Sequence, residues 1–147
     1  MIALTIRRYE RDERNRIRYP SRVDLRKQII TLFKKLSKTV DGLTFGFSIE
    51  SNGGNNGHHV HIITNMERLD SKTREVLIRF CDGQDSPLQF NRFIRKSELV
   101  DEVDGRFGVV TAFHLINVDS YRNYINKYVN SELEHLIQTN HPTGDRS

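Results

Sequence analysis

The sequence has little that would tie it to an oxidising compartment or to a membrane. It carries one cysteine, Cys81, so a disulfide within the chain and a cysteine-based zinc site are both excluded. That thiol lies in the apolar segment VLIRFC, which predicts a buried structural role. No apolar run approaches the roughly 20 residues of a spanning helix. The opening residues MIALTIRRYE turn basic too early for a signal peptide. There is no internal repeat and no sign of a second domain. These absences lead to the expectation of a cytoplasmic protein (host cytoplasm if virus-encoded) with no membrane partner. At 147 residues the chain is expected to form one domain with a real core over residues 1–138, followed by a disordered tail, 139–147.

What is present is arginine, unevenly placed. Eight arginines fall between Arg7 and Arg26, partly neutralised by Glu10, Asp12, Glu13 and Asp24. Planar guanidinium groups bind phosphate oxygens in bidentate fashion, so Arg7, Arg8, Arg14, Arg16 and Arg18 are candidate nucleic-acid contacts. A solvated charged loop would have the same composition. Arg92, Arg95 and Lys96 form a second small basic cluster.

Periodicity predicts an α+β domain. Residues 2–8 read as a strand and 9–20 as a polar connection. Leu25, Ile29, Leu32, Phe33, Leu36 and Val40 follow helical spacing up to the Asp41–Gly42 stop. LTFGFSIE (43–50) and HHVHIIT (58–64) read as two antiparallel strands joined by the flexible turn SNGGNNG. A second helix over KTREVLIRFC opens at Asp70 and Ser71. LQFNRFI (88–94) and RFGVVTAFHLINV (106–118) read as further strands, and SYRNYINKYVNSELEHLI (120–137) as a final helix capped by Asp119. The order implies an antiparallel sheet of about five strands with helices packed on it.

The sequence GHHVHIITN (57–65) carries the chemistry. Strand side chains alternate between faces, so His59 and His61 share one face while His58, Val60 and Ile62 take the other. Two imidazoles at that spacing converge above the sheet, as metal ligands do. If Glu50, at the end of the preceding strand, pairs near His59, its carboxylate joins them. Such a set, with open positions, suits Mg²⁺ or Mn²⁺ against a substrate phosphate. It also suits zinc, or iron in a two-histidine, one-carboxylate site. The His-x-His pair alone is a weak signal; its place behind a Gly-rich turn strengthens it.

SYRNYINKYVN (120–130) is the second signal. It holds three of the chain's five tyrosines, and on a helix Tyr124, Lys127 and Tyr128 share one face. Half-buried packing tyrosines would look the same, and for Tyr121 and Tyr128 that is the favoured reading. The chemical reading is specific: a phenol attacking a phosphodiester needs its charge stabilised, which a lysine does, and an electrophilic phosphate, which a divalent ion supplies.

Together, HVH (59–61) and YINKY (124–128) resemble the HUH endonucleases, in particular the rolling-circle replication initiator (Rep) proteins of viruses and plasmids. ALTIRRY (3–9) stands where these proteins carry their N-terminal strand motif, Glu50 where they carry an acidic strand residue, and FHLINVDSYRNYINKYV (113–129) where the tyrosine motif lies. The resemblance implies an RRM-like HUH-endonuclease fold and a Mg²⁺ or Mn²⁺ cofactor. It implies site-specific nicking and joining of single-stranded or hairpin DNA at a replication origin. His59, His61 and Glu50 would be metal ligands. Tyr124 would be the nucleophile leaving a 5′-phosphotyrosine and a free 3′-OH, with Lys127 assisting. Some Rep proteins use two tyrosines one turn apart. Tyr128 would then be a second nucleophile, but Ser131 stands where its lysine is expected. The resemblance, with the tyrosine motif near the end of the sequence, leads to the expectation of a minimal nickase without a helicase domain or of a domain cut from a longer protein. A homodimer would suit a nickase that rejoins strands, though no residue here specifies one.

Three rivals share parts of this pattern. A single-tyrosine HUH transposase more usually carries glutamine after the tyrosine, so Lys127 argues for Rep; a relaxase would place its tyrosine near the N-terminus. A non-catalytic single-strand-binding module would need exposed sheet aromatics, for which Phe45, Phe47, Phe90 and Phe93 are candidates. An unrelated metal hydrolase would use the histidines and leave Tyr124 structural.

Overall fold

The computed structural model describes residues 1–82, 90–91, 99–115 and 134–137. The architecture is α+β, an antiparallel sheet with two helices among the described residues. Its five principal strands are β1 (Ile2–Arg8), β4 (Thr44–Ser51), β5 (His58–Thr64), β7 (Leu99–Gly105) and β8 (Gly108–His114). Two short strands, β6 (Phe90–Asn91) and β9 (Glu134–Ile137), extend it, giving the order β6-β7-β8-β1-β5-β4-β9. A separate two-stranded hairpin, β2 (Glu10–Arg11) and β3 (Ile17–Arg18), projects from the end of β1. The helices are α1 (Arg22–Leu36) and α2 (Ser71–Asp82).

Alternation along the strands separates two faces. Ile2, Leu4, Ile6, Phe45, Phe47, Ile49, Val60, Ile62, Val110 and Ala112 point one way, into a core closed by Leu25, Ile29, Leu32 and Leu36 of α1 and Leu77 and Cys81 of α2. Phe45 packs edge-on against both Phe33 and Phe47, with ring centroids 5.6 and 6.2 Å apart. Edge-to-face contact brings the positive rim of one ring to the negative face of another. Thr5, Arg7, Ser48, Glu50, His59, His61 and Thr111 take the other face, since directly paired residues in an antiparallel sheet point the same way.

Local chemistry starts each helix. Ser21 caps α1, its Oγ accepting from the Asp24 N–H at 3.1 Å, and Asp70 Oδ1 accepts from the Thr73 N–H at 2.8 Å at the start of α2. Past Leu36 the chain continues as turns to Gly42, which takes φ +68. Cys81 is fully buried, as its apolar context predicted, and burial pushes its thiol up to about 12.

Several expected boundaries are corrected. The polar connection 9–20 contains β2 and β3, closed by Asp12, whose Oδ1 accepts from the Arg14 and Arg16 N–H groups at 2.9 Å. Residues 99–105, read as no element, form β7; its acidic sequence hid a strand held by pairing with β8. The strand expected over 106–118 runs from Gly108 to His114, because Arg106 and Phe107 form the turn between Gly105 and Gly108. Of the strand expected over 88–94, Phe90–Asn91 is described as β6. The final helix expected over 120–137 does not reach its end: Glu134–Ile137 pairs with Thr44–Phe47 at the free edge of β4. Helix propensity in ELEHLI is a weak preference, and a sheet edge with unpaired amides overrides it. The rest of that helix and the tail 139–147 lie outside the described residues.

Candidate metal centre

The pairing of β4 with β5 settles the condition on which the histidine reading rested. Glu50 lies directly opposite His59, and Ser48 opposite His61, so the carboxylate and both imidazoles share one face. Glu50 Oε1 is 2.9 Å from His59 Nε2 and 3.9 Å from His61 Nε2. The rings of His59 and His61 stand nearly perpendicular, at 88°, with centroids 4.8 Å apart. One donor atom from each of the three residues can be chosen so that all lie within 4.8 Å of one another. Donors about 2.1 Å from a common ion lie roughly 3.0–3.5 Å apart, so small rotations of these side chains close the set.

A neighbouring amide decides which nitrogen of His59 is available. Asn52 Nδ2 donates to the Asn56 carbonyl at 3.0 Å, which turns Asn52 Oδ1 toward His59 Nδ1, and the two are in close contact. An amide oxygen only accepts, so Nδ1 carries the proton and the lone pair is on Nε2. That lone pair faces Glu50 Oε1, also an acceptor. Two acceptors 2.9 Å apart require a proton or a cation between them. Burial works against the proton: it pulls His59 below the ordinary histidine range, with the charge of Glu50 opposing and that of Arg7 reinforcing the shift. His61 is lowered as well, by burial first and then by its neighbour His59. Neutral imidazoles beside an ionised carboxylate are the state that binds a divalent ion, and the donor set fits one.

Asn52 was not singled out from the sequence. In SNGGNNG an asparagine reads as turn chemistry, and the turn uses it so: its N–H donates to the Gly57 carbonyl at 2.9 Å. Only the folded turn shows that the side chain contacts His59, a candidate ligand, as outer partners of metal-bound histidines do.

The expected arginine arm is divided by the fold. Arg7 is exposed and pairs opposite His59, on the same face as the candidate ligands. Arg8 points to the helix side, where its Nε donates to Gln28 at 2.9 Å, its Nη1 to the Phe80 carbonyl, and its guanidinium lies 4.1 Å from the Phe80 ring centroid. It ties β1 to both helices. Arg16 is held by Asp12 at 2.9 Å, while Arg14 and Arg18 are exposed on the hairpin. Phe45 and Phe47 are core residues, so neither is a sheet-surface stacking platform. Tyr124, Lys127 and Tyr128 lie outside the described residues, as do Phe93 and the side chain of Phe90. Among the described residues, no helix is long and apolar enough to cross a membrane.

Comparison with known protein families, curated proteins and solved structures finds no match to this chain.

Proposed function

We propose that the protein is a metal-dependent endonuclease that nicks and rejoins single-stranded DNA through a tyrosine nucleophile, as an HUH endonuclease of the Rep type does. The observation that carries the reading is the placement of Glu50 directly across from His59, with His61 on the same face. Two histidines and a carboxylate converge, as the resemblance required. A divalent ion held there, Mg²⁺ or Mn²⁺, would make the bound phosphate a better electrophile.

The protein's own groups do the rest. Asn52 keeps Nε2 of His59 available, and Arg7 offers a guanidinium to a phosphate beside the ligands. Tyr124 Oη attacks phosphorus, the bond from phosphorus to O3′ breaks, and the proton lost by the phenol is balanced by the one gained at the 3′-oxygen. The products are a 5′-phosphotyrosine and a free 3′-OH, which can attack in reverse to rejoin the strand. Lys127, three residues after Tyr124 in sequence, stabilises the developing phenolate charge.

Covalent trapping tests this. The protein is incubated with Mn²⁺ and a pool of labelled single-stranded and hairpin oligonucleotides, then resolved on denaturing gels and mapped by mass spectrometry. The expected result is an adduct on Tyr124 that is lost with EDTA, in His59→Ala and in Tyr124→Phe. An adduct on Tyr128 moves the nucleophile. Cleavage that survives Tyr124→Phe without an adduct replaces the nickase by a metal hydrolase. Tight binding with no cleavage replaces it by a binding module.

A further inference from the structure

We infer that the cavity between the β2–β3 hairpin and the 52–57 turn is a nucleotide subsite, in which one base of a single-stranded DNA stacks on Tyr19 next to the phosphate held at the metal centre. This rests on the nickase reading for the identity of the strand, but its observations are separate.

The cavity measures about 760 Å³, and Arg7, Ile17, Tyr19, Asn56, His58 and His59 are among the residues that line it. Its volume falls in the range of about 300–1,000 Å³ usual for small-ligand sites. Because it shares His59 with the candidate metal centre and Arg7 with the phosphate-facing side, an occupant here is continuous with one there.

Its lining is unusual for this molecule. Ile17 and Tyr19 are 45% and 43% exposed, two of the three large hydrophobics exposed among the described residues, and both line this cavity. They lie in a hairpin otherwise full of charge, where core packing does not account for them. An apolar and aromatic surface among exposed arginines suits a base attached to a phosphate chain, because every base offers a π-face and stacking tolerates any sequence.

Tyr19 is held ready for that contact. Gly57 has φ +78, and a Cβ there would meet Cβ, Cγ and Cδ1 of Tyr19 at 2.7–2.8 Å. Tyr19 therefore rests against a backbone that only glycine leaves bare, while the remainder of the side chain stays accessible. A platform fixed in advance loses little conformational entropy on binding. Polar groups surround it: Asn56 lines the cavity, and His58 Nδ1 is buried with no hydrogen-bond partner among the described residues. Arg18, next to Tyr19 in sequence, is exposed and lines an adjoining cavity that shares Tyr19 with this one.

The test is binding measured without cleavage. Fluorescence anisotropy with dT20 and a mixed-sequence 20-mer is run in EDTA on the wild type, Tyr19→Ala, Tyr19→Phe and Gly57→Ala. Loss of one stacking contact is expected to weaken binding roughly 5- to 150-fold in Tyr19→Ala. Tyr19→Phe should stay close to wild type. Gly57→Ala should reproduce the loss with the tyrosine still present. In parallel, photocrosslinking of a 5-bromodeoxyuridine oligonucleotide to the wild-type protein, which needs no variant, should label the peptides around Tyr19 and residues 56–59. Unchanged affinity in Tyr19→Ala, or crosslinks only elsewhere, overturns the subsite. The two proposals fail separately. A Tyr124 adduct with Tyr19-independent binding removes the subsite and keeps the nickase; Tyr19-dependent binding with no adduct does the reverse.

Discussion

Replacing Glu50 by glutamine separates a metal centre from a plain ion pair. If the 2.9 Å contact between Glu50 and His59 were a structural salt bridge, removing the charge would cost about 1.5–3 kcal/mol, the worth of a hydrogen bond to a charged group. For a chain near 150 residues each kcal/mol moves the melting temperature by roughly 2–4 °C, so Tm would fall by about 3–12 °C. The geometry argues otherwise. Burial lowers the His59 pKa, which disfavours the proton that such a bridge needs at pH 7.5. In the neutral majority His59 Nε2 and Glu50 Oε1 are two acceptors facing each other, and a glutamine amide can donate where the carboxylate cannot. In EDTA at pH 7.5, Glu50→Gln is therefore expected to melt no lower than wild type. The metal response should be the opposite. An ion at 100 times its dissociation constant stabilises the folded state by about 2.7 kcal/mol, or roughly 5–11 °C here, and Glu50→Gln should lose most of that shift. Differential scanning calorimetry with EDTA and then with Mn²⁺ reads both. A large drop in EDTA, or an undiminished Mn²⁺ shift in the variant, would refute the reasoning.

Three further outcomes follow from the same geometry. Asn52→Leu removes the acceptor that fixes the His59 tautomer; Mn²⁺ affinity by titration calorimetry should fall roughly 10- to 100-fold while circular dichroism is unchanged. The metal-free protein should lose stability as pH falls below about 6.5, because His59 and His61 have lowered pKa values when folded and the unfolded chain takes up protons first. Urea midpoints between pH 7.5 and 5 check this: the slope should be shallower in His61→Gln, and an equal slope would count against it. Phe47→Ala, at a fully buried position packed against Phe45, should cost about 3–5 kcal/mol by urea denaturation.

The elements that periodicity specifies were legible. The first strand, the β4–β5 hairpin and both described helices lie where the apolar spacing put them, because a half-buried element must repeat its apolar residues at its own period, although α1 ends at Leu36, short of the expected Val40. Elements held by pairing were not. β7 is acidic and β9 reads as helix, yet both are strands because a neighbouring strand offers hydrogen bonds that local propensity cannot foresee. The Arg-rich stretch was one charge pattern in sequence but takes different roles in the fold, Arg8 in the helix packing and Arg7 beside the ligands.

The same division runs through the site. From the strand period alone, residues 58–64 determine that His59 and His61 share a face opposite Val60 and Ile62. That Glu50 is their partner was decided by the register of β4 on β5, since a slip of one residue would have turned the carboxylate into the core. Tertiary structure alone also brought Asn52 onto His59 Nδ1 and set Tyr19 against Gly57. Both contacts join residues on different elements or across a turn, and a chain has no local period that records what will lie beside it once folded.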